Sequence, residues 1–328
     1  SRLATPISLV VVCWMCWMPR KPACGLPERQ RKSPSGRMAL RLTAVPFVAL
    51  NAVWSPHVKN WFLFGLDFVT FPLRRHVKRF LVSLRVRVAA LRQSPPKVPF
   101  LILGEARTGT NLLADLLRSH PKVAVAGEIL NPYNPEGIRL FFRSRGAVLR
   151  HIRRTLRAVA GECRGAQTHV YHFRLHRVPI ETLCRELPEM RFIVIHRRSL
   201  AEQFVSWKLA KQTGRWVGNS DTAVHRERCV LDPQEFQSWC AQVRDRFGEV
   251  TACSTLWKRA ISIAYEDLAT AAQDIMAERV FPFLGVESVR VVTTLRKQNP
   301  RTLAECVENY GEVADLLNQE RLEHVAPS

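Results

Sequence analysis

The stretch Val98 to Leu113, VPFLILGEARTGTNLL, decides how the rest of the chain is read. Val98, Phe100, Leu101, Ile102 and Leu103 make an apolar run of strand length, Gly104 and Gly109 bracket a turn, and Leu112, Leu113, Leu116 and Leu117 recur at helical spacing. A strand that passes through a glycine-bracketed loop into a helix aims the first backbone N–H groups of that helix at the loop, which is a seat for an anion. The spacing from Gly104 to Thr110 nearly matches the nucleotide-binding P-loop, yet Thr110 stands where a lysine would neutralise the outer phosphates of ATP or GTP. The cation is instead Arg107, inside the loop, whose planar fork suits phosphate or sulfate oxygens. Such a loop favours an anion other than a magnesium triphosphate.

A second segment of the same kind runs from Phe192 to Leu209, FIVIHRRSLAEQFVSWKL: a strand, arginine at its end, and a helix carrying Ser206. Arg198 ends the strand and Ser206 lies about two turns into the helix, so both can face the carboxyl edge of a parallel sheet. Arg197 takes the place of Arg198 if the register slips by one. Structural roles also exist: Arg198 can pair with Glu202 on the next helical turn, and Ser206 can bond back inside its helix.

From Pro99 onward strands and helices alternate. Strands are expected at 99–104, 122–126, 168–173, 191–196 and 260–265, and helices near 110–119, 136–159, 179–187, 199–212, 234–247 and 267–279. The alternation predicts an α/β fold, a P-loop-type parallel sheet flanked by helices on both faces. The domain is expected to span 98–328, preceded by a basic, partly apolar extension over 1–97. Gly214 to Val230 lacks periodicity, which suggests a loop over the site in which Trp216 either closes on substrate or packs on its own scaffold.

Taken together, the two segments resemble the sulfotransferases that use 3′-phosphoadenosine 5′-phosphosulfate. AGEILN (Ala126 to Asn131), KQTGRW (Lys211 to Trp216) and LRKQNPRTLAECVENYGEV (Leu295 to Val313) are most similar to the bacterial nodulation-factor type of carbohydrate sulfotransferase. The similarity covers roughly Pro96 to Leu317. It implies that Arg107 and the amides of Thr108, Gly109, Thr110 and Asn111 grip the phosphosulfate end of the donor. By the same resemblance Arg198 and Ser206 hold the 3′-phosphate, and Arg296 and Lys297 belong to a basic element folded over the nucleotide. Sulfuryl transfer builds negative charge on the leaving phosphate, so positioned donors should dominate catalysis. The acceptor hydroxyl needs a base. Glu128 is the first candidate, because AGEILN resembles the context of the catalytic glutamate in bacterial members. His169 is the second, because cytosolic members use a histidine in a similar Thr-His context. Each has a structural alternative, a turn cap for Glu128 and a strand-end histidine for His169; Thr110 or Asn111 can likewise cap the helix. His172, His176 and His196 lack metal-ligand spacing, and the transfer requires no metal. The acceptor implied is a carbohydrate or glycolipid.

The chain carries 49 Lys/Arg against 28 Asp/Glu, a net charge of +21, and residues 1–97 hold 17 of the bases but only 2 of the acids. Without a nucleic-acid-reading motif, this footprint fits an anionic membrane surface better than nucleic acid. Within it, RRHVKRFLVSLRVRVAALR, 74–92, places Val77, Leu81, Leu84, Val88 and Leu91 at intervals of four, three, four and three, an amphipathic helix with a basic face. It either attaches to acidic headgroups or packs on the catalytic domain. ISLVVVCWMCWM, Ile7 to Met18, is shorter than the ~20 residues of a membrane span and resembles a signal core; Met38 is an alternative start. The compartment stays open, with a membrane-associated place at the Golgi or the cytoplasmic face as the expectation. The 9 cysteines are irregularly spaced and read as mostly buried thiols.

Two other functions remain in view. A P-loop kinase or nucleotidase would want the missing lysine and an aspartate ending a neighbouring strand, but that strand ends His196-Arg197-Arg198. A non-catalytic basic membrane-associated adaptor would not need Arg107, Arg198, Ser206 and Glu128 together.

Overall fold

The computed structural model describes residues 81–82, 84–91, 94–134, 137, 144–217, 227–295, 297, 300–322 and 325–326. Five strands, β1 (Val98–Gly104), β2 (Val123–Glu128), β3 (Cys163–His169), β4 (Arg191–His196) and β5 (Ala260–Ala264), form one parallel sheet in the order β2-β3-β1-β4-β5. The chain first winds outward from β1 to β2 and back to β3, then crosses to β4 and β5. Reversal of winding beside the central β1 opens a crevice at the carboxyl ends of the strands, where ligands bind in such sheets.

Side-chain alternation explains why both faces are covered. Leu101 and Leu103 of β1 join one core with Ala166, Phe192 and Val194, whereas Phe100 and Ile102 join the other with Ile193, Ile195 and Ile263. The first core is roofed by α2 (Arg145–Ala158), α3 (Val170–Leu175), α4 (Ile180–Glu186), α5 (Leu200–Thr213) and α6 (Pro233–Ala252). The second lies under α1 (Thr110–Arg118) and the helical run that follows β5.

Most expected elements appear within a residue or two of their expected bounds. The third strand is the main correction: it was expected at 168–173, but β3 is Cys163–His169 and Val170–Leu175 is helical. The cause is packing. Every residue of CRGAQTH is buried, and Gly165 is required because a Cβ there would stand 2.1 Å from the Phe100 ring. Gly165 and Ala166 therefore sit in the middle of β3, while the more apolar VYHF supplies the helix. The helix expected over 136–159 is described from Arg145 on, capped by Ser144, whose hydroxyl accepts the Ala147 N–H. The one expected over 267–279 is a broken series: α8 (Tyr265–Thr270) and α9 (Ala272–Ile275), a π turn at Met276–Val280, and α10 (Phe281–Leu284). Between α6 and β5 lies α7 (Ser254–Trp257); α11 (Leu303–Cys306) and α12 (Tyr310–Gln319) complete the described chain.

The amphipathic segment is helical over 84–91. Its expected apolar stripe faces outward: Leu81, Leu84, Val88 and Leu91 are 48, 47, 40 and 87% exposed. Val77 and the remainder of 74–80 lie outside the described residues. Cys163, Cys184, Cys229, Cys240, Cys253 and Cys306 are buried thiols. Among the described residues no helix is long and apolar enough to cross a membrane.

Candidate active site

The loop between β1 and α1 is closed on itself by Thr108. Its hydroxyl donates to the Glu105 carbonyl at 2.9 Å and accepts the Glu105 N–H at 3.3 Å, while its own N–H reaches the same carbonyl. Two backbone features make the turn possible. Gly109, the residue before α1, has φ 91°, and a Cβ there would lie 2.5 Å from the Tyr265 ring. Arg107 has φ 68°, unusual for a side-chain-bearing residue. Its side chain shows what holds it there: Nε donates to Ser206 Oγ at 2.9 Å, and a terminal nitrogen donates to the Trp216 carbonyl. Helix α1 has no side-chain cap, so neither Thr110 nor Asn111 takes that role. From the far side, Gln203 on α5 donates to the Ala106 carbonyl at 2.8 Å.

The two arginines that follow β4 have different partners. Arg197 is buried, lies over the Tyr265 ring with 4.6 Å to its centroid, and is paired with Glu202. Burial and this second guanidinium lower the Arg107 pKa from its ordinary value. Arg198 forks onto Asp267, its two terminal nitrogens donating to Oδ1 and Oδ2 at 2.7 and 2.6 Å, and its N–H meets Glu266. Of the expected Arg198 and Ser206 couple, then, the serine meets the loop arginine and Arg198 meets α8. The Arg198–Glu202 alternative does not form as an ion pair; Glu202 serves Arg197 and, at 3.6 Å, Lys297. Arg296 lies outside the described residues. Trp216 is exposed, and residues 218–226 of its loop lie outside the described set.

One and two strands from β1 sit the two candidate bases, His169 on β3 and Glu128 on β2. A register shift between Ala126 and Glu128 against β3 puts Glu128 opposite Gln167, a bulge that re-aims the last side chain of β2. Glu128 Oε1 then lies 3.6 Å from His169 Nε2, and its Oε2 accepts from Asn131 Nδ2 at 2.6 Å. Behind His169, the His172 ring stacks at 5.1 Å, and His172 Nδ1 accepts the His169 backbone N–H at 3.2 Å. That contact leaves the His172 proton on Nε2, and burial pushes its pKa well below the usual imidazole range. Buried Glu105 completes the cluster. It accepts the Tyr171 N–H at 3.1 Å and pairs with Arg246 at 3.0 Å; burial raises its pKa against the pull of Arg246 and His169.

Glu105, Gln203, Arg246, Tyr265 and Asp267 were not singled out as site residues from the sequence, and Arg197 entered only as the stand-in for Arg198. Glu105 was visible inside the loop motif; Arg246 and Asp267 lie on helices whose local pattern carries no trace of β1 or β4.

No protein-family model matches the chain. Among curated proteins it is 28% identical over 228 residues to nodulation protein H of Rhizobium meliloti strain 1021, covering 66% of this chain and 90% of that protein. Nodulation protein H of Rhizobium tropici is 26% identical over 235 residues, 67% and 89% of the two chains. Solved structures with similarity include a sulfotransferase from Alicyclobacillus acidocaldarius, at 15% identity and TM-score 0.40, over 69% of this chain and 93% of that one. Another is mouse sulfotransferase SULT7A1 complexed with PAP, at 11% identity and TM-score 0.36, over 63% and 64%. The class to which the chain is similar is that of the sulfotransferases, in agreement with its motifs. Among curated proteins the similarity is to nodulation protein H.

Proposed function

We propose that this enzyme moves a sulfuryl group from 3′-phosphoadenosine 5′-phosphosulfate to a hydroxyl of a carbohydrate or glycolipid. The observation that carries the proposal is the pairing of an arginine-centred anion loop after β1 with a carboxylate–imidazole pair one and two strands away, all at the same sheet edge. Arg107 and the first amides of α1 would hold the phosphosulfate and take up charge as the bond to phosphate breaks. Arg198 and Ser206 are assigned to the 3′-phosphate, with Arg296 and Lys297 over the nucleotide; the phosphate would compete with Asp267 for the Arg198 fork.

Glu128, or His169 backed by Glu128, accepts the acceptor's hydroxyl proton. The freed oxygen attacks sulfur, the new O–S bond forms as the S–O bond to the phosphate breaks, and adenosine 3′,5′-bisphosphate leaves with the electron pair. A carbohydrate acceptor is supported by the likeness to nodulation protein H and by the polar side chains gathered at the strand ends, Glu128, His169 and Arg107 among them.

The test is an assay with the ³⁵S-labelled donor against extracts separated into glycans, lipids and small metabolites. Label should pass to the glycan or glycolipid fraction. Absence of transfer to any fraction, together with ATP and a divalent ion occupying the loop in a soaked crystal, would overturn the proposal.

A further inference from the structure

We infer that the helix over 84–91, with Leu81 leading into it, is a docking surface for an anionic lipid bilayer. The argument starts from angular positions at 100° per residue. Leu81, Leu84, Val88 and Leu91 share one outward sector. Arg85 and Arg87 flank that sector on either side, and both are exposed. Val82, Val86, Ala89 and Ala90 lie on the opposite side and are partly buried. The helix therefore has two apolar faces, and only the alanine and valine face is even partly covered. The larger side chains are turned out, which reverses the order expected of a helix that merely packs on its domain.

Charge identifies the occupant. Residues 74–92 contain 7 Lys/Arg and no Asp or Glu. An apolar stripe edged by arginines matches the interfacial plane of a bilayer, where aliphatic side chains enter the acyl boundary and guanidinium groups reach back to phosphate. A second protein would need acidic groups set around an apolar ridge, whereas an acidic bilayer offers both features everywhere.

The mounting of the helix fits this role. The linker after it is tied at the amino-terminal edge of the sheet: Arg164 at the start of β3 donates to the Ser94 carbonyl at 2.7 Å, and Lys97 pairs with Glu162 at 2.8 Å. Exposed Lys97 and Lys122 stand at the same edge. The candidate active site is at the opposite edge, so lipid binding at 84–91 leaves the strand ends open to acceptor. This inference does not rest on the proposed reaction.

The experiment is hydrogen exchange on the full chain with vesicles of phosphatidylcholine alone or with about 30% phosphatidylserine. Amides of 84–91 should exchange at least ~10-fold more slowly on the acidic vesicles only. The double variant Leu84→Glu/Val88→Glu should lose that protection and float ~10-fold less, while its urea-unfolding midpoint stays that of the unchanged chain as the control for folding. Unchanged exchange at 84–91 on acidic vesicles overturns the inference, even if the chain floats through other segments. Protection that survives in the double variant overturns it as well. If that variant unfolds at a lower urea concentration, Arg85→Gln/Arg87→Gln replaces it, with reduced protection on acidic vesicles as the supporting result and unchanged protection as the opposing one.

Discussion

Glu128 Oε1 and His169 Nε2 stand 3.6 Å apart across the ends of two neighbouring strands. From sequence they are rival candidates for one role; in the fold they are direct neighbours. Groups that act as a unit give non-additive losses when removed. Glu128→Gln is expected to lower turnover by about 10²- to 10⁴-fold with nucleotide affinity within a few-fold. The double variant with His169→Asn should be no more than a few-fold worse than the poorer single variant. Multiplying losses in steady-state kinetics would show two independent roles, and near-normal turnover of Glu128→Gln would give the base to His169.

Arg107 is crowded by Arg197 and by its own burial, so an anion in the loop relieves like-charge repulsion. Calorimetry of Arg107→Ala with adenosine 3′,5′-bisphosphate should show a loss of about 10- to 150-fold, corresponding to ~1.5–3 kcal/mol of charge-assisted bonding. Unchanged affinity would remove Arg107 from the donor site. The same variant loses the contacts to Ser206 and the Trp216 carbonyl, so limited proteolysis near Trp216 should speed up.

Two hydrogen bonds from Arg198 hold the Asp267 carboxyl below its ordinary pKa. A depressed carboxyl contributes stability that is fully present above its unfolded value and is lost as pH falls through the folded one. The window is therefore the acid side, below about pH 4. Asp267→Asn should flatten this part of the acid-unfolding curve; because the pair is partly exposed, the effect is modest. In the ligand arm the same variant frees Arg198 from its carboxylate, and bisphosphate should bind more tightly at neutral pH. Weaker binding would make Asp267 a support for Arg198 rather than a competitor.

Gly109→Ala meets both a left-handed backbone and the Tyr265 ring. A destabilisation of about 1–3 kcal/mol is expected, read by urea unfolding, with donor affinity falling too because the start of α1 moves. A neutral substitution would show that the loop geometry is not constrained as described.

Legibility differed between elements for identifiable reasons. β1 and α1 were readable because apolar run, glycine pair and helical period lie within one short window, and β4 and α5 because apolar run, arginine end and helix follow one another directly. β3 was misplaced, because CRGAQTH lacks the bulky apolar residues that mark a strand and is small in order to admit Phe100. The helix expected over 267–279 broke into short pieces and a π turn, which periodicity cannot show.

The chain's own order of residues determined the α/β class, the anion loop and the arginine-rich end of the second motif strand, since these depend on neighbours in sequence. Tertiary structure alone decided which arginine meets Ser206, that Glu128 and His169 are adjacent, and that Arg246 pairs with Glu105 and Asp267 with Arg198. Those relations join residues tens of positions apart, and only the strand order and its register bring them within reach.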